Sequence, residues 1–250
     1  MVSVEFSAGV ATVTLSRPPV NALDLATVEA FDAALDRIDA AEDCGAILIR
    51  AQGTKAFCAG ADIRLIERCI EADDGVEEMI GFVRRLQALL FRIEENPRPS
   101  VVAIDGAATG GGLELALACD VRVAGEDVRL GLPESRIGLV PGAGGTQRLP
   151  ALVGRGTASL LILTGELVTG NQARELGIVQ RAVPRDEVHD VALELARELA
   201  ARPRVAVAAA KAAIALAPSH VGYEREIEAT RGLLDEPETA ALVQQFLSSR

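Results

Sequence analysis

The sequence predicts a mixed α/β core followed by an α-helical C-terminal region. Two observations lead to this fold class. Strand-like and helix-like patterns alternate from residue 2 to about residue 184, and beyond that point the pattern is helical throughout. The chain has 250 residues, enough for one large domain or for one domain with a small helical extension.

Strands and helices of the core follow one another along the chain. Short apolar runs predict strands at residues 10–15, 46–50, 101–105, 121–124, 128–132 and 178–183. Runs with helical spacing predict helices at residues 25–40, 77–94, 113–118 and 157–163. The helix at 77–94 is long and amphipathic, because Val83, Leu86 and Leu90 recur near helical spacing.

The segment beyond residue 184 predicts four further helices. They occupy residues 188–201, 205–216, 223–234 and 238–247, with Pro203, Pro218 and Pro237 between them. These helices are rich in alanine and leucine, so we expect them to pack on the core or on another subunit. The predicted division is a core of residues 1–187 and a C-terminal helical region of residues 188–250.

The composition argues against several classes of protein. Hydrophobic residues make up 49% of the chain and charged residues 24%, which is typical of a soluble globular protein. The formal net charge of −11 disfavours nonspecific binding to nucleic acids or anionic membranes. The sequence contains no apolar run of membrane-spanning length, and no basic region precedes an apolar stretch near Met1. We therefore predict neither a membrane span nor a secretory signal.

Cysteine and histidine usage points the same way. The four cysteines are Cys44, Cys58, Cys69 and Cys119, and none forms a Cys-x-x-Cys pair. Reduced thiols in a cytoplasmic protein are the favoured interpretation. The only histidines are His189 and His220, and this scarcity weakens zinc, Ser-His-Asp and Cys-His chemistry. No metal site is predicted.

The run Gly110-Gly111-Gly112-Leu113-Glu114 lies between a predicted strand and a predicted helix. Three glycines leave the first N–H groups of the helix free to bind an anion or a developing negative charge. Glu114 lies just inside the helix, and a second candidate acid, Glu134, follows Leu132-Pro133. The pattern suggests proton transfer beside a stabilised oxyanion. Taken singly, Glu114 is better explained as a first-turn acid that favours the helix start, and Glu134 as a solvated loop acid.

Two other turns are rich in small residues. Phe57-Cys58-Ala59-Gly60-Ala61-Asp62 lets a ligand approach the backbone, although Asp62 taken alone is better explained as a helix cap. Pro141-Gly142-Ala143-Gly144-Gly145-Thr146 lacks the lysine of a phosphate-binding loop. Neither this turn nor the run Gly110-Gly111-Gly112 fits Gly-x-Gly-x-x-Gly, so ATP and NAD sites are weakly supported.

In combination these segments resemble the crotonase superfamily, also called the enoyl-CoA hydratase/isomerase family. The matching pieces run in family order and cover nearly the whole chain. They are Pro19-Val20-Asn21-Ala22-Leu23, Lys55 through Ile63, Asp105-Gly106 through Ala116, Gly131-Leu132-Pro133-Glu134, Gly138 through Leu149, and Leu163-Thr164-Gly165-Glu166. The resemblance implies a spiral of ββα units, a C-terminal helical region used in trimerisation, and an acyl-CoA thioester substrate.

The resemblance also implies roles for individual residues. The oxyanion-hole N–H groups fall on Ala61 and Gly111, the two acids on Glu114 and Glu134, and a water-positioning N–H on Gly142. By the same resemblance, Glu114 helps activate the water that adds to Cβ and Glu134 delivers the proton to Cα. Substrate or CoA contacts are expected from Lys55, Ala59, Ala61, Asp62, Ile63 and Arg64. Lys55 and Arg64 are alternatively solvated surface charges.

The leading functional hypothesis is reversible hydration of a trans-2-enoyl-CoA to a 3-hydroxyacyl-CoA, because both acid positions and both oxyanion positions are occupied. The alternative is Δ3-Δ2 isomerisation or another crotonase-type reaction, and a remote one is a noncatalytic acyl-CoA or RNA-binding protein. No cofactor is expected beyond the coenzyme A of the substrate. We expect a cytoplasmic homotrimer or hexamer with neither a nucleic-acid nor a membrane partner. The pathway, β-oxidation of fatty acids or the degradation of amino acids or aromatic compounds, stays open.

Overall fold

The computed structural model describes residues 2–53 and 55–248. Its larger sheet has six strands: β1 (Val2–Ser7), β2 (Val10–Leu15), β3 (Ala46–Ala51), β5 (Ser100–Ile104), β7 (Val121–Gly125) and β10 (Arg181–Val183), adjacent in this order. All neighbours pair in parallel except the antiparallel hairpin β1–β2. Strands buried on both faces explain the continuous apolar runs at 46–49 and 101–104.

The smaller sheet has four strands: β4 (Ala56–Cys58), β6 (Ala107–Thr109), β8 (Arg129–Gly131) and β9 (Val168–Thr169). The chain alternates between the sheets, because β3, β5 and β7 are each followed by a strand of the smaller sheet and then by helix. This repeated ββα order confirms the predicted mixed α/β architecture.

The described ranges also contain ten α-helices. They are α1 (Leu25–Asp39), α2 (Ile63–Glu71), α3 (Gly75–Glu95), α4 (Gly111–Leu117), α5 (Gly145–Thr164), α6 (Gly170–Glu175), α7 (Val188–Ala200), α8 (Arg204–Ile214), α9 (His220–Leu234) and α10 (Pro237–Ser248). Short 3₁₀ turns lie at Glu134–Ile137 and Arg185–Glu187. The helices predicted at 25–40 and 77–94 and the four beyond residue 184 agree with these bounds to within a few residues.

Some predicted bounds were wrong. Helix α5 begins twelve residues before the predicted 157, because Pro150 and the break at Gly154, with φ of +78°, hide its helical spacing. The strand predicted at 178–183 is only Arg181–Val183, since the N–H groups of Ile178 and Val179 donate to Ala173 at the end of α6. Strands β4, β6 and β9 are two or three residues long, too short to show a period of two.

Helix α7 packs on the large sheet. Its buried residues Val188, Ala192 and Ala196 form one apolar cluster with strand residues including Leu48 and Val101. A second, larger cluster fills the space between the sheets and helices α1, α3, α4 and α5. The division at residues 187 and 188 stays a prediction, and α7 is the part of the C-terminal region that shares the core.

Helices α8, α9 and α10 are packed differently. Helices α8 and α9 contact each other, yet α8 and α10 contain no buried residue and α9 buries only Gly222. Large apolar side chains such as Ile214, Tyr223 and Leu234 are 66–73% exposed. In the stretches 2–53 and 55–248, no helix has both the length and the apolar character needed to cross a bilayer.

Candidate active site

The backbone N–H groups of Ala61, just before α2, and Gly111, at the start of α4, lie side by side. A Cβ placed on Gly111 would lie 3.6 Å from the Ala61 nitrogen, and one placed on Gly60 would lie 3.0 Å from the Gly111 nitrogen. Neither the Ala61 N–H nor the Gly111 N–H donates to a backbone carbonyl of the described residues. Two neighbouring free donors can bind one oxyanion.

Local contacts fix the Ala61 donor. Leu23 bridges the segment, because its N–H donates to the Gly60 carbonyl at 2.7 Å and its carbonyl accepts from Asp62 N–H at 2.8 Å. The Asp62 carboxylate then caps α2 by accepting from Arg64 N–H at 2.9 Å. Gly60 has a φ of +89°, a backbone conformation that favours glycine.

The Gly111 donor is fixed by close backbone packing. Gly110 has a φ of +55°, and α4 begins directly after it. A Cβ on Gly112 would overlap the carbonyl oxygen of Cys58, so only glycine lets α4 approach strand β4 this closely. The glycine run is therefore explained by a turn and a close approach, as well as by free donors.

Glu114 is buried in the first turn of α4, with 2% of its surface exposed. Its Oε1 accepts two backbone hydrogen bonds, from Ala143 N–H at 2.7 Å and from Gly145 N–H at 2.8 Å. Burial raises the pKa of the Glu114 carboxyl, while these two N–H groups and the nearby Arg148 guanidinium act against the rise. The carboxyl is thus held in one orientation by the loop before α5.

Glu134 begins the 3₁₀ turn Glu134–Ile137 and is half-buried. A Cβ on Gly110 would lie 2.8 Å from its Oε1, so the carboxyl sits directly over the glycine turn. Its Oε2 is buried and has no hydrogen-bond partner in the described part of the protein. Burial, together with the Glu114 charge, raises the pKa of Glu134 to about 7.

The arrangement joins two acids with two N–H donors. Glu134 lies over Gly110, Glu114 follows one turn later on the same helix, and Gly111 and Ala61 provide the donors. A group whose oxygen bound the donors would lie beside the Glu134 carboxyl and at the first turn of the helix that carries Glu114. Such a site is suited to stabilising an enolate while protons move on and off the adjacent atoms.

Gly142 lies in the loop before α5 that also holds Glu114. A Cβ placed on Gly142 would lie 3.4 Å from the Val83 side chain of α3. The N–H groups that reach Glu114 come from Ala143 and Gly145, which the sequence interpretation did not single out. The water-positioning role of the Gly142 N–H stays a prediction.

The predicted substrate contacts surround Ala61. Lys55, Ala59, Ile63 and Arg64 are exposed, and Ile63 is 62% exposed despite being apolar. The Asp62 carboxylate is engaged by the α2 cap and by Arg17 Nη2 at 2.5 Å, which lower its pKa. Its side chain therefore has a structural role, as the helix-cap alternative proposed, and the substrate contacts of all these residues stay predictions.

Two arginines support the site without having been predicted. Arg17 bridges Asp62 and Asp24, at 2.5 and 3.0 Å, ahead of α2 and α1. The Arg148 side chain is only 9% exposed; it pairs with Glu94 at 2.8 Å and donates to the Ala143 carbonyl at 2.9 Å. The sequence offered one signal for Arg148, its place just after a glycine-rich turn. Its pairing with Glu94 could not be read from the sequence, because the two residues are 54 positions apart.

Comparison with known proteins agrees with this geometry. The family model "Enoyl-CoA hydratase/isomerase" matches residues 5–247. "Enoyl-CoA hydratase domain-containing protein 2, mitochondrial" of Bos taurus is 41% identical over 221 residues, 88% of this chain and 71% of that protein. "Methylglutaconyl-CoA hydratase, mitochondrial" of Homo sapiens is 37% identical over 198 residues, 78% of this chain and 57% of that protein.

Solved structures extend the similarity to the whole fold. An enoyl-CoA hydratase from Bacillus anthracis superimposes with a TM-score of 0.92 at 35% identity, covering all of this chain and 96% of that one. The resemblance seen in the motifs, the observed ββα architecture and these matches lead to one conclusion. The chain belongs to the enoyl-CoA hydratase/isomerase family of the crotonase superfamily.

Proposed function

We propose that this protein catalyses the reversible addition of water to a trans-2-enoyl-CoA, giving a 3-hydroxyacyl-CoA. The observation that carries the proposal is the pair of acids, Glu114 and Glu134, placed beside the two free N–H donors. One acid would suffice for moving a double bond, whereas water addition uses a base for the water and an acid for the substrate carbon.

In the proposed step, Glu114 is ionised and takes a proton from water while the water oxygen bonds to Cβ. The π electrons move through Cα to the thioester oxygen, and the Ala61 and Gly111 N–H groups bind the resulting enolate. Glu134 then gives its proton to Cα as the enolate returns to the thioester. The net change adds one water, and the proton left on Glu114 returns to Glu134 through solvent.

The environments of the acids support these roles. The raised pKa of about 7 keeps Glu134 largely protonated below neutral pH, as a proton donor must be. Glu114 accepts two N–H hydrogen bonds, and both stabilise its ionised form. Each positioned acid or base typically contributes about 10²–10⁴ in rate, and each oxyanion donor about 10²–10³.

The remaining parts of the proposal concern binding and assembly. Lys55 and Arg64 are exposed cations on either side of Ala61, suited to the phosphates of coenzyme A. Coenzyme A enters as part of the substrate, and we propose no other cofactor. The exposed apolar faces of α8, α9 and α10 support a homotrimer or hexamer. A cytoplasmic location stays a prediction.

Double-bond isomerisation is the second candidate, and one observation favours it. Glu134 alone combines a raised pKa with a buried oxygen that lacks a partner in the described structure. An isomerase would need only this acid to carry a proton between two carbons of the acyl chain.

The test uses crotonyl-CoA, whose conjugated thioester absorbance disappears on hydration, alongside 3-enoyl, longer and branched thioesters. Since one relative is named methylglutaconyl-CoA hydratase, the branched panel includes methylglutaconyl-CoA. We expect hydration by the wild type and loss of most activity in Glu114→Ala. An isomerase would retain much of its activity on 3-enoyl-CoA in that variant, and failure to hydrate any thioester would overturn the proposal.

A further inference from the structure

The loop that holds Glu114 is itself held by helix α3. The Gln87 side chain of α3 donates from Nε2 to the Gly142 carbonyl oxygen at 2.6 Å. The next residue, Ala143, donates its N–H to Glu114 Oε1 at 2.7 Å. These two hydrogen bonds share a single peptide group, because the Gly142 carbonyl and the Ala143 N–H belong to the same peptide bond.

The geometry of a peptide group links the two contacts. The Gly142–Ala143 bond is trans, so its C=O and N–H point in opposite directions in one plane. Gln87 at one edge of the planar group therefore fixes the direction of the N–H at the opposite edge. A hydrogen bond to the carbonyl also polarises the group and strengthens the N–H as a donor.

We propose that Gln87 is a positioning residue that orients the Gly142–Ala143 peptide group and, through it, the Glu114 carboxyl. This inference rests on the proposed function, and it deepens that function by assigning a role to a residue on α3 that does not touch the reacting atoms.

The other side chains and N–H groups near Glu114 act on different groups, so Gln87 is the contact specific to the Gly142–Ala143 peptide group. Arg148, also tied to α3 through Glu94, donates to the Ala143 carbonyl and so fixes the following peptide group. The second N–H on Glu114 comes from Gly145, at the start of α5. The charged group that acts on Glu114 is Arg148 of α5, which pairs with Glu94 of α3. The Glu114 charge acts in turn on Glu134 of the 3₁₀ turn.

The test compares Gln87→Met, which keeps the side-chain length but removes the donor, with Arg85→Met as a matched control. Arg85 lies on the same helix and, within the described ranges, forms its ion pair with exposed Glu29. In Gln87→Met we expect kcat for hydration to fall about tenfold with little change in KM, the cost of one hydrogen bond expressed in the rate. Arg85→Met should match the wild type.

A second measurement does not depend on activity. Carboxyl ¹³C NMR of glutamate-labelled protein, with the Glu114 resonance assigned by its loss in Glu114→Gln, reports the titration of that group directly. Gln87→Met is expected to raise the pKa of Glu114 by about 0.5–1, since its ionised form loses part of one N–H bond.

An unchanged Glu114 titration in folded Gln87→Met would overturn the proposal. Should the methionine variant not fold, Gln87→Leu also removes the donor to Gly142 without adding a charge near Glu114, so the same upward change is expected. If the wild type hydrates no enoyl-CoA, the proposed function fails, and the NMR titration still decides the role of Gln87.

Discussion

The segments that carry Glu114 and Glu134 place the same side chain in contrasting surroundings. Glu114 lies inside a helix, is 2% exposed, and has two N–H groups bound to one oxygen. Glu134 lies in a 3₁₀ turn, is half-buried, and has a buried oxygen with no partner among the residues described. Two identical acids thus acquire opposite tasks: two N–H hydrogen bonds favour the anion of Glu114, and burial beside a charge favours the protonated form of Glu134.

The largest effect is expected from Glu114→Gln. The amide cannot take a proton from water, so kcat for enoyl-CoA hydration should fall by about 10³–10⁴. A suitable control is Glu77→Gln, because Glu77 is also a first-turn helix acid, on α3, but is exposed. If both variants lost activity equally, Glu114 would be no more than a helix-stabilising acid.

A smaller loss is expected from Glu134→Gln, about 10²–10³ in kcat, because solvent reaches this half-buried turn and partly replaces the proton donor.

The wild-type rate should fall as pH rises through about 7, where Glu134 loses its proton, and fall again at low pH as Glu114 gains one. The pH dependence of kcat/KM measures both limbs. An alkaline limb that persists in the glutamine variant would assign it to another group.

Arg148→Met should lower activity moderately, because it weakens the contacts that orient and ionise Glu114. The variant loses the hydrogen bond to the Ala143 carbonyl and the charge that favours ionised Glu114. We expect about a tenfold lower kcat and an acid limb at higher pH. Arg155→Met, on the exposed part of the same helix, serves as the control. An acid limb that does not move would separate Arg148 from Glu114.

The smallest effect concerns stability. The pKa of Glu134 is about 7 in the folded chain and 4.5 in the reference state, so between these values the folded state binds more protons. The contribution of Glu134 to wild-type stability should therefore fall as pH rises from 4.5 to 7 and level off above it. Urea midpoints of Glu134→Gln, relative to those of wild type, should improve from pH 5 to pH 8. Exposed Glu175→Gln should track the wild type.

Much of this site followed from the sequence, because its main parts are short motifs in a fixed order. The acids and the glycine turn could be named without coordinates, since the residues that define each lie within a few positions of one another. The contacts of Glu114 with Ala143 and Gly145 could not, because they join residues 29 and 31 positions apart. Arg148, Arg17 and Gln87 were missed for the same reason: their partners are set by tertiary packing rather than by local pattern.

Prediction of the helices and strands was limited in the same way, because it depended on local sequence pattern. Long helices such as α1 and α3 were predicted closely, because their apolar spacing repeats over several turns. Only the second half of α5 was predicted, because Pro150 and Gly154 are residues typical of loops. The first half is helical in the structure, where α5 packs against α4 and the 3₁₀ turn. The short strands of the smaller sheet depend on pairing with each other and leave little trace in the sequence.

The overlap that any side chain on Gly112 would make with Cys58 has a consequence for how this protein can diversify. Donors that belong to the main chain cannot be removed by replacing their own residues; they can only be displaced by added bulk. Substitutions are thus expected to accumulate at exposed apolar positions such as Ile63 and Val140, while the closely packed glycines stay fixed. Variation at the surface can then proceed without displacing the main-chain donors.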